Sequence, residues 1–405
     1  MGVLGRYCTA ATLARLADEM LTPGLILLVL LRTGHPQDVG LVTGAWTLPS
    51  LVSGPVFGAW LGRMRQRARA LAAGQLVVAL SALALVLTVG RTPIVVPVLV
   101  AAVGGIAVPG TTGGFTSLVP SLAPGGAFHR LNRMDATTFN LSSIAGPALV
   151  GTLAATIGPA QALLIVCAIA AGGSAAALTI PAGEPTGETR SIGIAAAVRA
   201  GLRQVVTEPP LRGATLASVL GWGAVGMLMV VLPLYAARIA GKATYSGYLW
   251  TALEVGCLIS TLTLARGETC RPDRRVLICT AVFGLIMLTW PLAPTLPVAL
   301  PLLFLAGIAS GPTLPALFAT RQQYSPPGLL SQVSTTGASL KIGAFALGSV
   351  LGGALAPGLG AGRVIVLVAI AQLVGAGLGW LLSRRSRQVS ARASDPTSPS
   401  LPGRP

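Results

Sequence analysis

The sequence predicts an all-α membrane protein, with twelve transmembrane helices in two pseudo-symmetric bundles of six. Three observations carry this. The 405-residue chain is 53% hydrophobic and 10% charged, whereas soluble domains carry about 25% charged residues. So few charges cannot screen so much apolar surface from water, and the mean hydropathy of +0.77 agrees. The apolar residues also gather into runs near the ~20 residues that a helix needs to cross the hydrocarbon core. Finally, one long polar break divides those runs evenly.

In chain order the runs lie near 8–31, 39–61, 70–90, 94–118, 136–157 and 160–181, then 212–236, 244–265, 275–293, 297–319, 331–357 and 362–382. Those at 94–118 and 331–357 are richest in glycine and polar residues. The first run carries Asp18 and Glu19 and has no small-residue cleavage site after it, so it reads as a span and not as a signal peptide. Lysine and arginine fix the expected orientation. With the N-terminus inside, 21 of them fall on the cytoplasmic side and five (Arg32, Arg91, Arg238, Lys242, Arg363) outside, which predicts cytoplasmic termini in an inner, cytoplasmic membrane. The expected domains are a bundle over 1–181, a cytoplasmic linker over 182–211, a second bundle over 212–383 and a disordered tail over 384–405. Within the linker, "IGIAAAVRAGLRQVV" has the pattern of an amphipathic surface helix.

Several function classes drop out. The net charge of +17 comes from short arginine clusters between apolar runs, not from one basic face, so nucleic acid is not an expected partner. The five cysteines have no paired spacing, and the two histidines stand apart, so neither metal nor disulfide is expected. No Gly-x-x-x-x-Gly-Lys loop is present to bind ATP. No cofactor and no enzymatic activity are predicted.

Two equal halves invite a search for duplication. A shift of 202 residues lays Pro124 on Pro326, Gly126 on Gly328, Gly146 on Gly348 and Gly151 on Gly353. A shift of 207 lays Gly40 on Gly247, Ala45 on Ala252, Ser53 on Ser260 and Arg67 on Arg274.

Two stretches carry a family resemblance. "GPVFGAWLGRMRQR" (Gly54–Arg67) resembles the loop between spans two and three of the major facilitator superfamily, with Gly58, Arg63 and Arg67 at matching positions. The family's acid position is Gly62 here and its second glycine is Arg65, so this sequence lacks the acid that serves as a latch in the family. "NLSSIAGPALVGTLA" (Asn140–Ala154) resembles the Gly-Pro element of the family's antiporters, matched at Gly146, Pro147 and Gly151. The opening stretch and the loop "PSLAPGGAFHRLNRMDATTFN" are similar to its prokaryotic multidrug and siderophore exporters. One departure stands out: span four lacks the arginine that many proton-driven members carry there.

Ionisable residues inside a membrane are costly and mark functional sites by default. Asp18, Glu19, Glu254 and Lys341 fall near the middle of their spans. Asp18 and Glu19 point about 100° apart on a helix. Arg15, three and four residues earlier, is in reach of either. The reading pairs one acid with Arg15 and turns the other, Asp18, to the cavity that the resemblance implies. Lys341 either meets a substrate anion or pairs with Glu254.

Together these readings predict a monomeric secondary transporter working by alternating access, exporting a small amphipathic organic compound in exchange for protons. An uptake carrier or facilitator is the alternative. A non-transporting sensor or scaffold fits less well, since no soluble domain accompanies the spans.

Overall fold

A computed structural model describes residues 2–64, 66–122, 127–181, 194–264, 271–326 and 329–384. Most of the expected linker's start, and the tail beyond Arg384, lie outside them.

Helix occupies each of the twelve predicted spans, and the departures come at prolines and glycines. The first half contains α1 (Val3–Thr33), α2 (Pro36–Thr47), α3 (Ser50–Arg63), α4 (Arg67–Thr88), α5 (Val95–Pro109), the short α6 (Val119–Leu122), α7 (Ala127–Thr156) and α8 (Pro159–Leu178). The run at 39–61 breaks at Pro49, which has no N–H to continue the ladder. After Pro109 the backbone widens into a π turn over Gly110–Gly114. Next comes α9 (Ile194–Thr207), the expected amphipathic helix, which ends immediately before the second half begins.

That half contains α10 (Pro209–Ala240), α11 (Ser246–Leu264), α12 (Pro272–Met287), α13 (Leu296–Ser310), α14 (Thr313–Tyr324) and α15 (Leu330–Arg384). Gly311 and Pro312 separate α13 from α14. The long α15 spans both final predicted runs. At Gly360, φ 76° and ψ 158° break the helical path, a conformation in which a side chain would be strained. Among the described residues, six helical stretches are long and apolar enough to cross a membrane: Arg67–Thr88, Pro159–Leu178, Pro209–Ala240, Pro272–Leu292, Leu296–Tyr324 and Gln332–Ser383. α1, which carries Arg15, Asp18 and Glu19, is not among them.

Apolar packing falls into three large clusters. One joins α1, α2, α4, α5, α7 and α8 and takes in Val230 of α10, a second joins α10 to α13 with α15, and a third packs the start of α1 against α3, α4, α6, α7 and α8. The halves meet chiefly at two crossings, α2 on α15 and α7 on α11, with smaller contacts of α3 on α15 and of α10 with α1 and α2. Glycine permits both close approaches. A Cβ on Gly40 would stand 2.6 Å from the Ser349 carbonyl oxygen and 3.2 Å from Gly353 Cα. One on Gly151 would stand 2.9 Å from the Thr244 carbonyl oxygen and 3.1 Å from Gly247 Cα. The sequence repeat equates Gly40 with Gly247 and Gly151 with Gly353. The two crossings are therefore one contact made twice.

Both crossings lie toward the same end of the molecule, the end of the tight turns at Gly34, Gly158, Gly241 and Gly360. We call it the glycine end, and the opposite end, where most arginines fall, the arginine end.

Candidate functional site

Midway along α1, three charged residues in a span of five turn three ways. Arg15, 2% exposed, forms an ion pair with neither Asp18 nor Glu19. Its Nη2 lies 2.7 Å from Asp135 Oδ1 on α7, and Nη1 donates to the Asp135 carbonyl at 2.7 Å and to Thr138 Oγ1. Tyr7 donates to Asp135 Oδ1 at 2.6 Å, and Thr116 to Oδ2 at 3.0 Å. The Phe139 ring lies 5.5 Å from the guanidinium. This corrects the expected local pairing, and the reason is directional. Helical side chains lean toward the N-terminus, carrying the Arg15 guanidinium away from residues 18 and 19. The true partner was placed outside its span, because α7 begins nine residues before the predicted 136. Arg15 and Asp135 thus fasten α1 to α7.

Asp18, the residue expected in the cavity, accepts a hydrogen bond from Thr111 at 3.1 Å. Thr111 sits in the π turn, a distortion frequent at functional sites. Glu19 takes the other direction. Its Cβ packs on Gly146, where an added Cβ would come within 2.7 Å. Asp18 and Glu254 both act electrostatically on Glu19. Glu254, on α11, therefore lies within electrostatic reach of Glu19 from the opposite half.

Lys341 does not pair with Glu254. Its Nζ stands 4.1 Å from the Trp222 ring centroid. Among the described residues, the Arg15–Asp135 contact is the one ion pair.

The Gly-Pro element serves two interfaces. Gly146 admits α1, while the Pro147 carbonyl and Gly151 press on Gly247 of α11. The Ile144 carbonyl also accepts a hydrogen bond from Thr251 of α11 at 3.2 Å. Of the loop motif, Arg67 is buried at the start of α4, and the side chains of Gly58 and Arg63 lie outside the described ones.

One turn toward the glycine end from Glu19 and Glu254 lies a narrow, mainly apolar crevice, with room for about one water molecule, lined by Pro23, Ile26, Met229, Pro233, Gly247 and Trp250. Pro23 and Trp250 share helix faces with Glu19 and Glu254 at four-residue spacing. The cleft is therefore stacked on the acids. It lies between α1, α10 and α11, drawing on both halves. Among the described residues no cluster of His, Cys, Asp or Glu is arranged to hold a metal.

Sequence reasoning missed Asp135, Thr111 and Trp222. Asp135 follows Leu131 and Met134 at helical spacing, and this could have extended span five backwards. Trp222 stands seven and eleven residues before Met229 and Pro233, on one helix face.

The family model of the Major Facilitator Superfamily matches residues 7–340. The chain belongs to this superfamily. Among its relatives is an uncharacterized MFS-type transporter, y4rN, of Sinorhizobium fredii, 30% identical over 357 residues covering 85% of this chain and 86% of that protein. Another is the multidrug efflux pump Tap of Mycolicibacterium fortuitum, 28% identical over 362 residues covering 86% and 87%. Two solved structures share the fold. The nucleoside transporter NupG has a TM-score of 0.78 at 12% identity, covering 94% of this chain and all (100%) of that one. A bacterial homologue of the human lysosomal transporter Spinster, inward-facing and unoccupied, has a TM-score of 0.75 at 15% identity, covering 95% and 97%. As a member of the superfamily, this chain is a multi-pass membrane transporter for a small molecule, not an enzyme.

Proposed function

We propose that this facilitator-family transporter exports a small amphipathic organic compound in exchange for protons, by alternating access between a bundle over 1–181 and one over 212–383. The linker 182–211 and the tail 384–405 join and follow the bundles on the cytoplasmic side, and the transporter works as a monomer. The carrying observation is that Glu19 and Glu254, on opposite halves, lie within electrostatic reach of each other, with no cation in ion-pair range among the described residues. Two such carboxylates in an apolar setting repel. A bound proton relieves that repulsion, and so does a cationic group on a substrate. The two ligands therefore compete for one place, as exchange requires.

The likeness to the multidrug efflux pump Tap supports export of an organic compound. The largest contacts between the halves, α2–α15 and α7–α11, lie at the glycine end. With arginines on the cytoplasmic side, this is an inward-open form. Rocking would part these crossings and open the path outward.

The test is export of a panel of cationic, zwitterionic and acidic antibiotics and dyes from cells expressing the protein, with and without a protonophore. The reading requires at least one compound whose efflux needs the protein and stops with the protonophore. Efflux that depends on the protein but ignores the protonophore would leave a facilitator.

A further inference from the structure

The second half holds two cations that the acid pair leaves unused. Arg321 of α14 is 3% exposed. Its Nη1 donates to the Ser334 carbonyl at 3.4 Å, while Nε and Nη2 have no acceptor among the described residues. The guanidinium lies against Gly337 of α15, where any side chain would collide with it. Lys341 follows one turn later on the same face of α15, within electrostatic reach of Arg321. The ammonium looks onto the Trp222 ring. Neither cation has a carboxylate in ion-pair range among the described residues.

Two like charges without a counter-ion in an apolar surrounding are costly to keep. Their shapes suggest what they await. A guanidinium with two free N–H groups and an ammonium beside it match the two oxygens of one acid group. The third element is aromatic. Trp222 is 41% exposed and shares a face of α10 with Met229 and Pro233, which line the apolar cleft. Its ring is thus open to the space between the halves.

We propose that Arg321 and Lys341 form a subsite for the acid group of the transported compound, a carboxylate or sulfonate on an apolar body that stacks against Trp222. This rests on the reading of the chain as a carrier of small amphipathic compounds, and it adds an acid group to the cationic one that competes with the proton, so the compound is zwitterionic. Lys341, half-buried over the more exposed Trp222 ring, meets the acid first. Arg321 stands behind it with its fork of N–H groups.

The test uses the full-length protein in nanodiscs of neutral phosphatidylcholine, which removes anionic lipid as a source of the acid. The probes are dansylglycine and its uncharged match, dansylglycinamide, titrated by dansyl fluorescence. Dansylglycine should bind about tenfold more tightly than the amide, as charge-assisted hydrogen bonds imply. Lys341→Met and Arg321→Gln should each erase that preference while leaving amide binding unchanged, and Arg321→Lys should keep part of it. Equal affinities for the two probes in the unaltered protein would overturn the proposal. So would an equal loss of both in Lys341→Met, which decides the matter alone if Arg321→Gln does not fold. Binding needs no proton gradient, so failure here and failure of proton coupling are separate results.

Discussion

Replacing Gly151 by leucine should prise open the glycine end. The added Cβ would meet the Thr244 carbonyl oxygen at 2.9 Å and Gly247 Cα at 3.1 Å. Both are backbone atoms, so no side chain can swing aside. Carbon atoms prefer about 3.5–4.0 Å, so α7 and α11 must part by roughly half an ångström for the Cβ alone, and by more for the rest of the leucine. Overpacking of this kind costs about 1–3 kcal/mol. The cost falls on the form in which the helices touch, so the open-to-closed ratio at this end should rise by about 5- to 150-fold. The repeat adds a second arm: Gly40→Leu, at the equivalent crossing of α2 with α15, should have the same effect. Gly172 is the control, since a Cβ there meets only Leu13 Cδ1, at 3.8 Å. The assay is the spin-label distance between Thr92→Cys and Lys242→Cys, one at the glycine end of each half, in a background without native cysteines. A distance distribution unmoved by Gly151→Leu and Gly40→Leu, or moved equally by Gly172→Leu, would refute the account of these crossings as the gate.

Three further outcomes follow from the same geometry. Asp135→Asn leaves the Arg15 charge buried without its partner, so thermal stability in detergent should fall on the scale of about 3–5 kcal/mol known for broken buried pairs; an unchanged melting temperature would make the pair incidental. Pro147→Ala restores a backbone donor and straightens α7 where it presses on Gly247, so the protein should insert at normal levels yet transport more slowly, and full transport at equal expression would reduce the proline to packing. Because Lys341 lies over Trp222 and away from Glu254, combining Glu254→Gln with Lys341→Met should add the defects of the single changes, whereas transport rescued in the double variant would show that the two charges neutralise each other.

Hydropathy and arginine placement made the spans legible, because lipid acts on whole runs of residues and not on single positions. The breaks within spans were less so. Pro49, Pro109–Gly110 and Gly311–Pro312 interrupt helices inside windows that average apolar. The acids of α1 and α11 were found by their cost, which needs no structure to recognise. Their partners were not. Sequence offers Arg15 only its neighbours, while its true partner stands 120 residues away and came into reach because α7 starts early. The glycine repeat was visible as spacing alone. That Gly40 meets Gly353, and Gly151 meets Gly247, is a fact about two helix crossings that no linear pattern contains.

The claim that Glu19 and Glu254 form the exchange site is tested most directly in proteoliposomes. The protein is reconstituted with the panel compound it exports best, and uptake is followed with and without an imposed pH gradient, for the unaltered protein and for Glu254→Gln. The unaltered protein should accumulate the compound against its gradient when protons can flow the other way. Glu254→Gln should lose that accumulation while still exchanging labelled for unlabelled compound, since the amide keeps the shape of the site but carries no proton. Accumulation in Glu254→Gln that follows the pH gradient as in the unaltered protein would contradict the claim, and would leave Asp18 with Thr111 to be tested in its place.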